Sequence, residues 1–255
     1  MHNILIIGAT RGLGSSLAHK YAKAGKAVHA TARFTPPQVV DSRITWISDI
    51  DIAHEDAGRR LARLYAGDSS IDVVIITAGY FALETFDEPK FDDEVQMYKT
   101  SAIGPVFIIH HLVKAGLLER GAKVILVSSE SGSIGLRHES EGGGNFGHHG
   151  SKAALNMVGK LLSLDLKNQG IAVGLVHPGF MRTDMTKSVG FDKFYDEGGA
   201  VTPNQAADSL IDFIATFDMS KTGQCWAPRG PGDIGTVEHT MGPKKDLATP
   251  LQLPW

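Results

Sequence analysis

A short apolar run that ends in a glycine loop opens the chain and constrains its fold more than any other feature. Residues 4–7 have the sequence Ile-Leu-Ile-Ile, and the loop GATRGLG follows directly over residues 8–14. A buried strand, a tight turn and then a helix form the start of a βαβ unit, in which the helix returns the chain for the next parallel strand. The first residues therefore predict an α/β protein.

Short β-branched runs alternate with helical stretches along most of the length. We predict strands at residues 4–7, 27–32, 44–47, 73–76, 124–127, 172–176 and 224–226. Apolar spacing predicts helices at about 13–24, 53–66, 92–118, 151–166 and 203–217. Such alternation produces a parallel sheet that helices cover on both faces. Because no linker or repeat interrupts the pattern, we predict one doubly wound α/β domain over residues 1–255.

Composition and charge exclude several classes of protein. The 255 residues are 42% hydrophobic and 21% charged, with a net charge of -3, which excludes a disordered chain and argues against a nucleic-acid partner. The single cysteine, Cys225, excludes an internal disulfide and a cysteine-based zinc site. No histidine or carboxylate spacing predicts a metal site. The longest apolar region, residues 73–83, is interrupted by polar and glycine residues, so we expect no membrane partner and a cytoplasmic protein.

The glycine loop indicates a dinucleotide. Gly8 permits the tight turn, whereas Gly12 and Gly14 let the backbone approach a phosphate at the positive end of the first helix. The spacing G-x-x-x-G-x-G differs from the commoner G-x-G-x-x-G, and a tight turn without a ligand is the alternative interpretation. Its position after the first strand of a doubly wound sheet favours the dinucleotide.

The end of the second predicted strand discriminates between the two nicotinamide cofactors. An NAD-binding protein usually has an acidic residue there for the ribose hydroxyls, whereas the 2′-phosphate of NADP requires a cation. Here the strand ends in Ala32 and Arg33, and Arg11 lies within the glycine loop. Guanidinium groups bind phosphate bidentately, so the two arginines predict NADP. The alternative is that both are solvated surface charges.

Further motifs resemble those of the short-chain dehydrogenase/reductase family over nearly the whole chain. Asp49-Ile50 is similar to the family's adenine-contacting pair, and Thr77-Ala78-Gly79 to its Asn-Ala-Gly turn. The segment HPGFMRT at 177–183 resembles the turn and threonine at the nicotinamide end, and the ending LPW resembles that of C-factor and Sniffer-type carbonyl reductases. The resemblance implies a Rossmann domain with cofactor contacts at Gly8, Thr10, Arg11, Gly12, Leu13, Gly14, Arg33, Asp49, Ile50, Ala78, Gly79, Lys152, Pro178, Gly179, Met181 and Thr183.

The resemblance also implies where the chemistry lies, because the family uses an Asn-Ser-Tyr-Lys tetrad. Ser129, in VSSESG, matches the serine, and Lys152, in SKAALN, matches the lysine. Ser101, in SAIGP, stands in place of the asparagine. His148 stands four residues before the lysine, where the family has tyrosine. Each residue also has an interpretation without catalysis. Ser129 would be an ordinary hydroxyl at a strand end, bonded to the backbone, and Lys152 would be a solvated lysine on a helix.

We predict that His148 replaces the tyrosine as the acid. Residues four apart share a helix face, so His148 can lie beside Lys152. Imidazole is a common general acid or base. A neighbouring ammonium lowers the imidazole pKa, but a neutral imidazole can still polarise a carbonyl through its N–H. The alternative acids are Tyr80, Tyr98 and Tyr195.

Together these residues predict an NADP-dependent oxidoreductase that acts on a carbonyl or alcohol small molecule. Met181, Met185 and Phe191 predict an apolar lid over about residues 180–200. In the family this segment covers the substrate, so the resemblance implies a hydrophobic carbonyl compound. Family members usually pair through two helices, so the resemblance implies a homodimer or homotetramer. Two alternatives stay open because the tyrosine and asparagine are both replaced: an NADP-binding sensor or partner-binding protein without turnover, and non-redox chemistry on the same scaffold.

Overall fold

One mixed sheet carries the functional loops. The computed structural model describes residues 2–37, 41–65 and 70–255, and within them eight strands pair in the order β3-β2-β1-β4-β5-β6-β7-β8. Strands β1 to β7 are parallel, as predicted, and β8 is antiparallel to β7. The strands are β1 (Asn3–Ile7), β2 (Ala27–Thr31), β3 (Ile44–Ile47), β4 (Val73–Ile76), β5 (Lys123–Val127), β6 (Ala172–Val176), β7 (Cys225–Ala227) and β8 (Leu251–Leu253).

Helices cover both faces of this sheet. They are α1 (Gly12–Lys23), α2 (Ala57–Leu64), α3 (Phe91–Tyr98), α4 (Gly104–Lys114), α5 (Phe146–Leu166), α6 (Asp184–Ser188), α7 (Pro203–Thr216) and α8 (Val237–Thr240). Successive side chains of a strand point to opposite faces. Accordingly, Ile4 and Ile6 pack in a core with α1 and α7. Leu5 and Ile7 pack in the opposite core with α2, α4 and α5.

The long helix predicted over residues 92–118 is interrupted and ends earlier. A π-helical turn, Lys99–Ile103, separates α3 from α4, and the N–H of Gly104 donates to the carbonyl of Lys99. Pro105 follows at the start of α4 and has no N–H to donate. Gly104 also packs so closely on the chain that a Cβ there would lie 2.2 Å from the carbonyl oxygen of Ile52. The prediction was wrong here because the spacing of apolar residues does not reveal one extra residue in a helical turn.

Two helix starts and one strand also differ from the prediction. Helix α5 begins at Phe146 instead of 151, and the glycines of its first turns, Gly147 and Gly150, pack against Met97 and Tyr98. Helix α2 begins at 57 instead of 53, and the predicted end at Ala66 lies outside the described residues. Strand β8 was not predicted; its three residues lie between Pro250 and Pro254. No helix in the described ranges is long and apolar enough to cross a membrane.

Candidate active site

The glycine loop joins β1 to α1 and is shaped by close packing. A Cβ at Gly8, where φ is +90°, would lie 2.7 Å from the backbone of Ala78, and one at Gly14 would lie 2.3 Å from the carbonyl oxygen of Gly8. Gly12 differs, because a Cβ there would meet only Thr183 Cγ2, at 3.7 Å. Gly8 and Gly14 thus hold the turn together, whereas Gly12, with φ of +57°, faces open space.

A cavity of about 300 Å³ lies between this loop and the segment that follows β6. Thr183 begins α6, and its side chain and that of Thr186 form reciprocal bonds that cap the helix. Of the other predicted contacts, Thr10 is exposed, Leu13 and Pro178 are buried, and Met181 bridges to Val201. The cavity is lined by Gly12, Arg182, Thr183, Asp184, Lys187, Tyr195 and Pro203.

The end of β2 presents cations and no carboxylate. Arg33 is exposed, and its guanidinium carbon lies 5.0 Å from the ring centre of Phe34. Arg11 is also exposed. Neither arginine forms an ion pair with the carboxylates that the structure describes. Both guanidinium groups are therefore accessible to a ligand.

The predicted adenine-contacting pair follows β3. Ile50 is buried, and its N–H donates to the carbonyl of Ala32 at 3.0 Å, which ties the pair to the end of β2. Asp49 has a left-handed backbone with φ of 56°, a conformation that is uncommon outside glycine. Its exposed carboxylate forms an ion pair with Arg60 at 3.2 Å. The two side chains therefore differ in environment although they are adjacent.

Helix α5 carries His148 and Lys152 one turn apart, as predicted. Lys152 Nζ donates to the carbonyl of Val127, at the end of β5, over 2.9 Å. Burial lowers the pKa of Lys152 to about 8. The amine is thus held against the strand end that leads into Ser129, and it is a stronger acid than an ordinary lysine.

His148 is neutral at physiological pH. Burial lowers its pKa to about 3, with smaller contributions from Lys152, His149 and Arg137. Its ring lies 4.4 Å from the ring of Phe81, measured between centroids. A neutral imidazole keeps one N–H to donate and one nitrogen to accept. The sequence indicated that Lys152 lowers the pKa of His148. It did not indicate burial, which lowers this pKa more.

Ser129 lies on the loop after β5. Its Oγ accepts the N–H of Ser131 at 3.1 Å, which leaves the hydroxyl proton for another acceptor. Behind it, Ser128 Oγ donates to Asn156 Oδ1 at 2.6 Å, and Asn156 Nδ2 donates to the carbonyl of Gly132 at 3.1 Å. These buried bonds fix the serine loop against α5. Sequence analysis did not identify Asn156, although it shares a helix face with Lys152.

Ser101 lies in the π-helical turn between α3 and α4. The residue is only 2% exposed, and its hydroxyl finds no hydrogen-bond partner within the described residues. Buried polar groups normally have a partner, from protein or from water.

Glu84 anchors the first turn of α5, although no sequence pattern indicated this role. Asn145, which precedes the helix, has a left-handed backbone and provides no side-chain cap. Instead, Glu84 Oε1 accepts the N–H of Gly147 at 2.5 Å, and Oε2 accepts the N–H of Lys90 at 3.2 Å. Burial, together with a hydrogen bond and charge repulsion from Glu84, raises the pKa of Glu94. The carboxylate of Glu84 therefore joins the helix that carries His148 to the start of α3.

The three alternative tyrosines have other contacts. Tyr80 donates to Asp93 Oδ1 at 2.5 Å. Tyr195 donates to the carbonyl of Thr183 at 3.1 Å. A Cβ on Gly150 would lie 2.3 Å from the hydroxyl of Tyr98. Tyr80 and Tyr195 thus use their hydroxyl protons elsewhere, and His148 is the titratable group one turn from the lysine.

A buried histidine links the Pro-Gly turn to the serine loop. His177 Nδ1 accepts the N–H of Glu130 at 3.1 Å, so Nε2 carries the proton and donates to the carbonyl of Asp233 at 3.3 Å. Gly179, with φ of +89°, lets the chain turn beneath Asp233, because a Cβ would lie 2.8 Å from its carboxylate. Within the described part of the chain, no group of three His, Cys, Asp or Glu side chains is placed to hold a metal.

Comparisons with known proteins agree with this geometry. Residues 2–193 match the short chain dehydrogenase family, and the chain therefore belongs to that family, as its motifs predicted. A curated relative, 1-hydroxy-2-glutathionyl-2-methyl-3-butene dehydrogenase of Rhodococcus sp. (strain AD45), is 31% identical over 225 residues, which cover 88% of this chain and 95% of that protein.

Two solved structures share the fold. The carbonyl reductase Sniffer of D. melanogaster has a TM-score of 0.75 at 22% identity and covers 100% of both chains. An NADPH-bound carbonyl reductase from chicken fatty liver has a TM-score of 0.70 at 20% identity, over 89% of this chain and 96% of that one. The Rossmann-like α/β architecture predicted from the sequence is thereby confirmed.

Proposed function

We propose that this protein is an NADP(H)-dependent oxidoreductase that interconverts a carbonyl compound and its alcohol. The observation that carries the proposal is that neutral His148 and Lys152 share one helix face, with the amine bound to the strand end that leads into Ser129. The relative from Rhodococcus is named as a dehydrogenase, and both structural neighbours are named as carbonyl reductases.

The described residues fit NADP. Gly12 leaves space above the loop for a phosphate group, and Arg11 and Arg33 present accessible cations without a competing carboxylate at the end of β2. The adenosine half would be held by Asp49, Ile50, Ala78 and Gly79. Lys152 would hold the ribose next to the nicotinamide. The nicotinamide itself would lie against Pro178, Gly179, Met181 and Thr183. When bound, NADPH supplies a hydride to the carbonyl carbon, and the C=O π bond is replaced by C–H and O–H bonds once a proton reaches the oxygen.

The protein's own groups handle the oxygen and the proton. The N–H of neutral His148 and the hydroxyl of Ser129 donate hydrogen bonds to the carbonyl oxygen and stabilise the negative charge that develops there. Lys152, with a pKa of about 8, is the nearby cation that can release a proton at neutral pH. Ser101, in the turn that packs against α5, would take the place of the family's asparagine next to this group.

The segment 180–200 acts as a lid over this site. A Cβ on Gly79 would lie 3.6 Å from Met185 Cε, and one on Gly12 would lie 3.7 Å from Thr183 Cγ2. The segment therefore contacts the loop after β4 through Met185 and the glycine loop through Thr183. We infer that one domain contains the whole site and that this lid determines which substrates bind.

The direct test is NADPH oxidation against a panel of neutral aldehydes and ketones, with Lys152→Gln as a matched variant. We expect wild type to oxidise NADPH faster than NADH and the variant to be strongly impaired. Tight NADPH binding without oxidation would instead support a sensor. Product formation without cofactor consumption would support a non-redox reaction.

We also propose that two copies pair through α4 and α5. Apolar side chains on the outer surface of this region are unusually exposed, such as Phe107 at 40%, Met157 at 60% and Leu161 at 52%. Large apolar side chains that adjoin one another on a surface mark protein–protein interfaces. Leu161→Glu should therefore convert a dimer or tetramer to smaller species in light scattering, whereas Leu64→Glu, at an exposed leucine of α2, should not. A monomeric wild type would contradict the proposal.

A further inference from the structure

One cation that lines the cavity beside the glycine loop is Lys187, which the reaction proposed above does not use. Lys187 lies in the last turn of α6 and lines this cavity together with Gly12. Its side chain is exposed and forms no ion pair with the carboxylates of residues 2–37, 41–65 and 70–255. The ammonium group is therefore available to an anion in the cavity.

The second cation that lines the cavity, Arg182, already has partners. Its Nη2 donates to Asp196 Oδ1 at 2.6 Å, and its Nε donates to the carbonyl of Ala200 at 2.9 Å. The guanidinium carbon lies 5.3 Å from the ring centre of Tyr195. These contacts offset the charge of Arg182 and fix it as a wall of the cavity, so the charge that remains for a ligand is that of Lys187.

Thr183 uses its polar groups within the cap of α6. Its main-chain N–H donates to Thr186 Oγ1 at 3.1 Å, and its Oγ1 accepts the N–H of Thr186 at 3.2 Å. The part of Thr183 that faces Gly12 is its methyl carbon, which lies 3.7 Å from the position of a Cβ on Gly12. An anion beside Gly12 therefore meets an apolar group at Thr183, and its charge must be balanced from elsewhere on α6.

Asp184 gives the same cavity an opposing charge. It is an exposed lining residue, and no cation of the described ranges pairs with it. Like charges repel, so this carboxylate weakens the binding of an anion. The glycine loop supplies N–H groups and the positive end of α1, and Lys187 supplies the full charge that offsets Asp184.

We propose that Lys187 binds the diphosphate of the nicotinamide dinucleotide, from the side of the cavity opposite the glycine loop. The inference rests on the proposed function for the kind of cofactor, but it concerns binding and not the reaction. The diphosphate is common to NADP and NAD, so Lys187 strengthens the binding of either dinucleotide and does not discriminate between them. That discrimination is the proposed role of Arg11 and Arg33.

The test is the dissociation constant for NADP⁺, measured by calorimetry. Lys187→Gln should raise it by about 5- to 10-fold, between the contribution of an exposed ion pair and that of a more buried charge-assisted hydrogen bond. Lys193→Gln is the matched control, because Lys193 is in the same lid but lies over the ring of Phe194, 5.0 Å from its centre. It removes the same charge and should leave the constant unchanged.

Asp184→Asn should have the opposite effect and lower the dissociation constant for NADP⁺ by about 2- to 5-fold, because it removes the repulsion. A substitution that only loosened α6 would weaken binding at either residue. Opposite signs at Lys187 and Asp184 therefore identify an effect of charge. Weaker binding in both variants would overturn the inference.

Adenosine 2′-monophosphate locates the effect on the cofactor, because it carries the 2′-phosphate and no diphosphate. Its affinity should be unchanged in Lys187→Gln and reduced in Arg33→Asp, whereas NAD⁺ should lose the same factor as NADP⁺ in Lys187→Gln. Unchanged NADP⁺ binding in Lys187→Gln, with NADPH still oxidised, would overturn this inference alone. NADP⁺ binding that depends on Lys187, without oxidation of NADPH by any aldehyde or ketone, would support it and contradict the redox function.

Discussion

Replacement of His148 by alanine should lower kcat for carbonyl reduction by about 10²–10³-fold, the usual effect of removing one hydrogen-bond donor to a developing oxyanion. The alanine has no N–H to offer the oxygen. Hydride transfer should persist as a slow reaction, because the cofactor supplies the difficult chemistry. The dissociation constant for NADPH, measured by fluorescence, should stay within a few-fold of wild type.

His149→Ala is the matched control for this variant. His149 is the next residue, but its Nδ1 donates to the carbonyl of Asn145 at 2.9 Å, and we expect a much smaller loss of kcat. Equal turnover by wild type and His148→Ala would contradict the assignment. The hydrogen bond to the oxygen would then come from water or from a tyrosine, and Tyr195→Phe would be the next variant to measure.

The pH profile of the wild type should report the lysine and not the histidine. Because the pKa of His148 is lowered to about 3, the imidazole stays neutral and the rate should show no inflection near 6.5. Lys152 is charged below its pKa of about 8 and neutral above it. Reduction should therefore slow as the pH rises through about 8. An inflection near 6.5 that disappears in His148→Ala would contradict a neutral imidazole.

Arg33→Asp should reverse the cofactor preference. The arginine offers charge-assisted hydrogen bonds to a 2′-phosphate, whereas the aspartate repels the phosphate and can accept from the ribose hydroxyls of NAD. Each hydrogen bond to a charged group contributes about 1.5–3 kcal/mol. Loss of such contacts at an exposed site should shift the ratio of kcat/KM for NADPH over NADH by about 100-fold.

Arg63→Asp is the control for this charge change, because Arg63 is an exposed arginine on α2. It alters the net charge by the same amount and should leave the cofactor ratio unchanged. An unchanged ratio in Arg33→Asp would contradict the assignment of Arg33 to the 2′-phosphate. Arg11→Ala would then show whether the glycine-loop arginine alone holds the 2′-phosphate.

The sheet could be predicted from sequence because its strands are short, buried and β-branched. Val73–Ile76 is entirely buried, and such runs between glycine turns have few alternatives in a βα pattern. Ser129, His148 and Lys152 could be located because the family motifs fix their spacing. The start of α5 could not be predicted from sequence, because glycine disfavours a helix and the packing of Met97 and Tyr98 against Gly147 and Gly150 is visible only in the folded chain.

Features that depend on contacts between distant segments were beyond the sequence. Glu84 lies in an unremarkable loop, and its role depends on receiving the N–H of Gly147, 63 positions away. The strong lowering of the His148 pKa depends first on burial, which spacing alone does not show. The contact of Phe81 with Phe191 likewise joins segments that only the folded sheet brings together.

The most direct measurement of the central claim is the transfer of deuterium from NADPH that carries deuterium at both C4 positions. The protein would be incubated with the best aldehyde or ketone of the panel, and the product analysed by mass spectrometry. We predict one deuterium on the carbinol carbon for each NADPH oxidised, which identifies hydride transfer from the cofactor. A product without deuterium, or NADPH that binds but yields no alcohol with any member of the panel, would contradict the account.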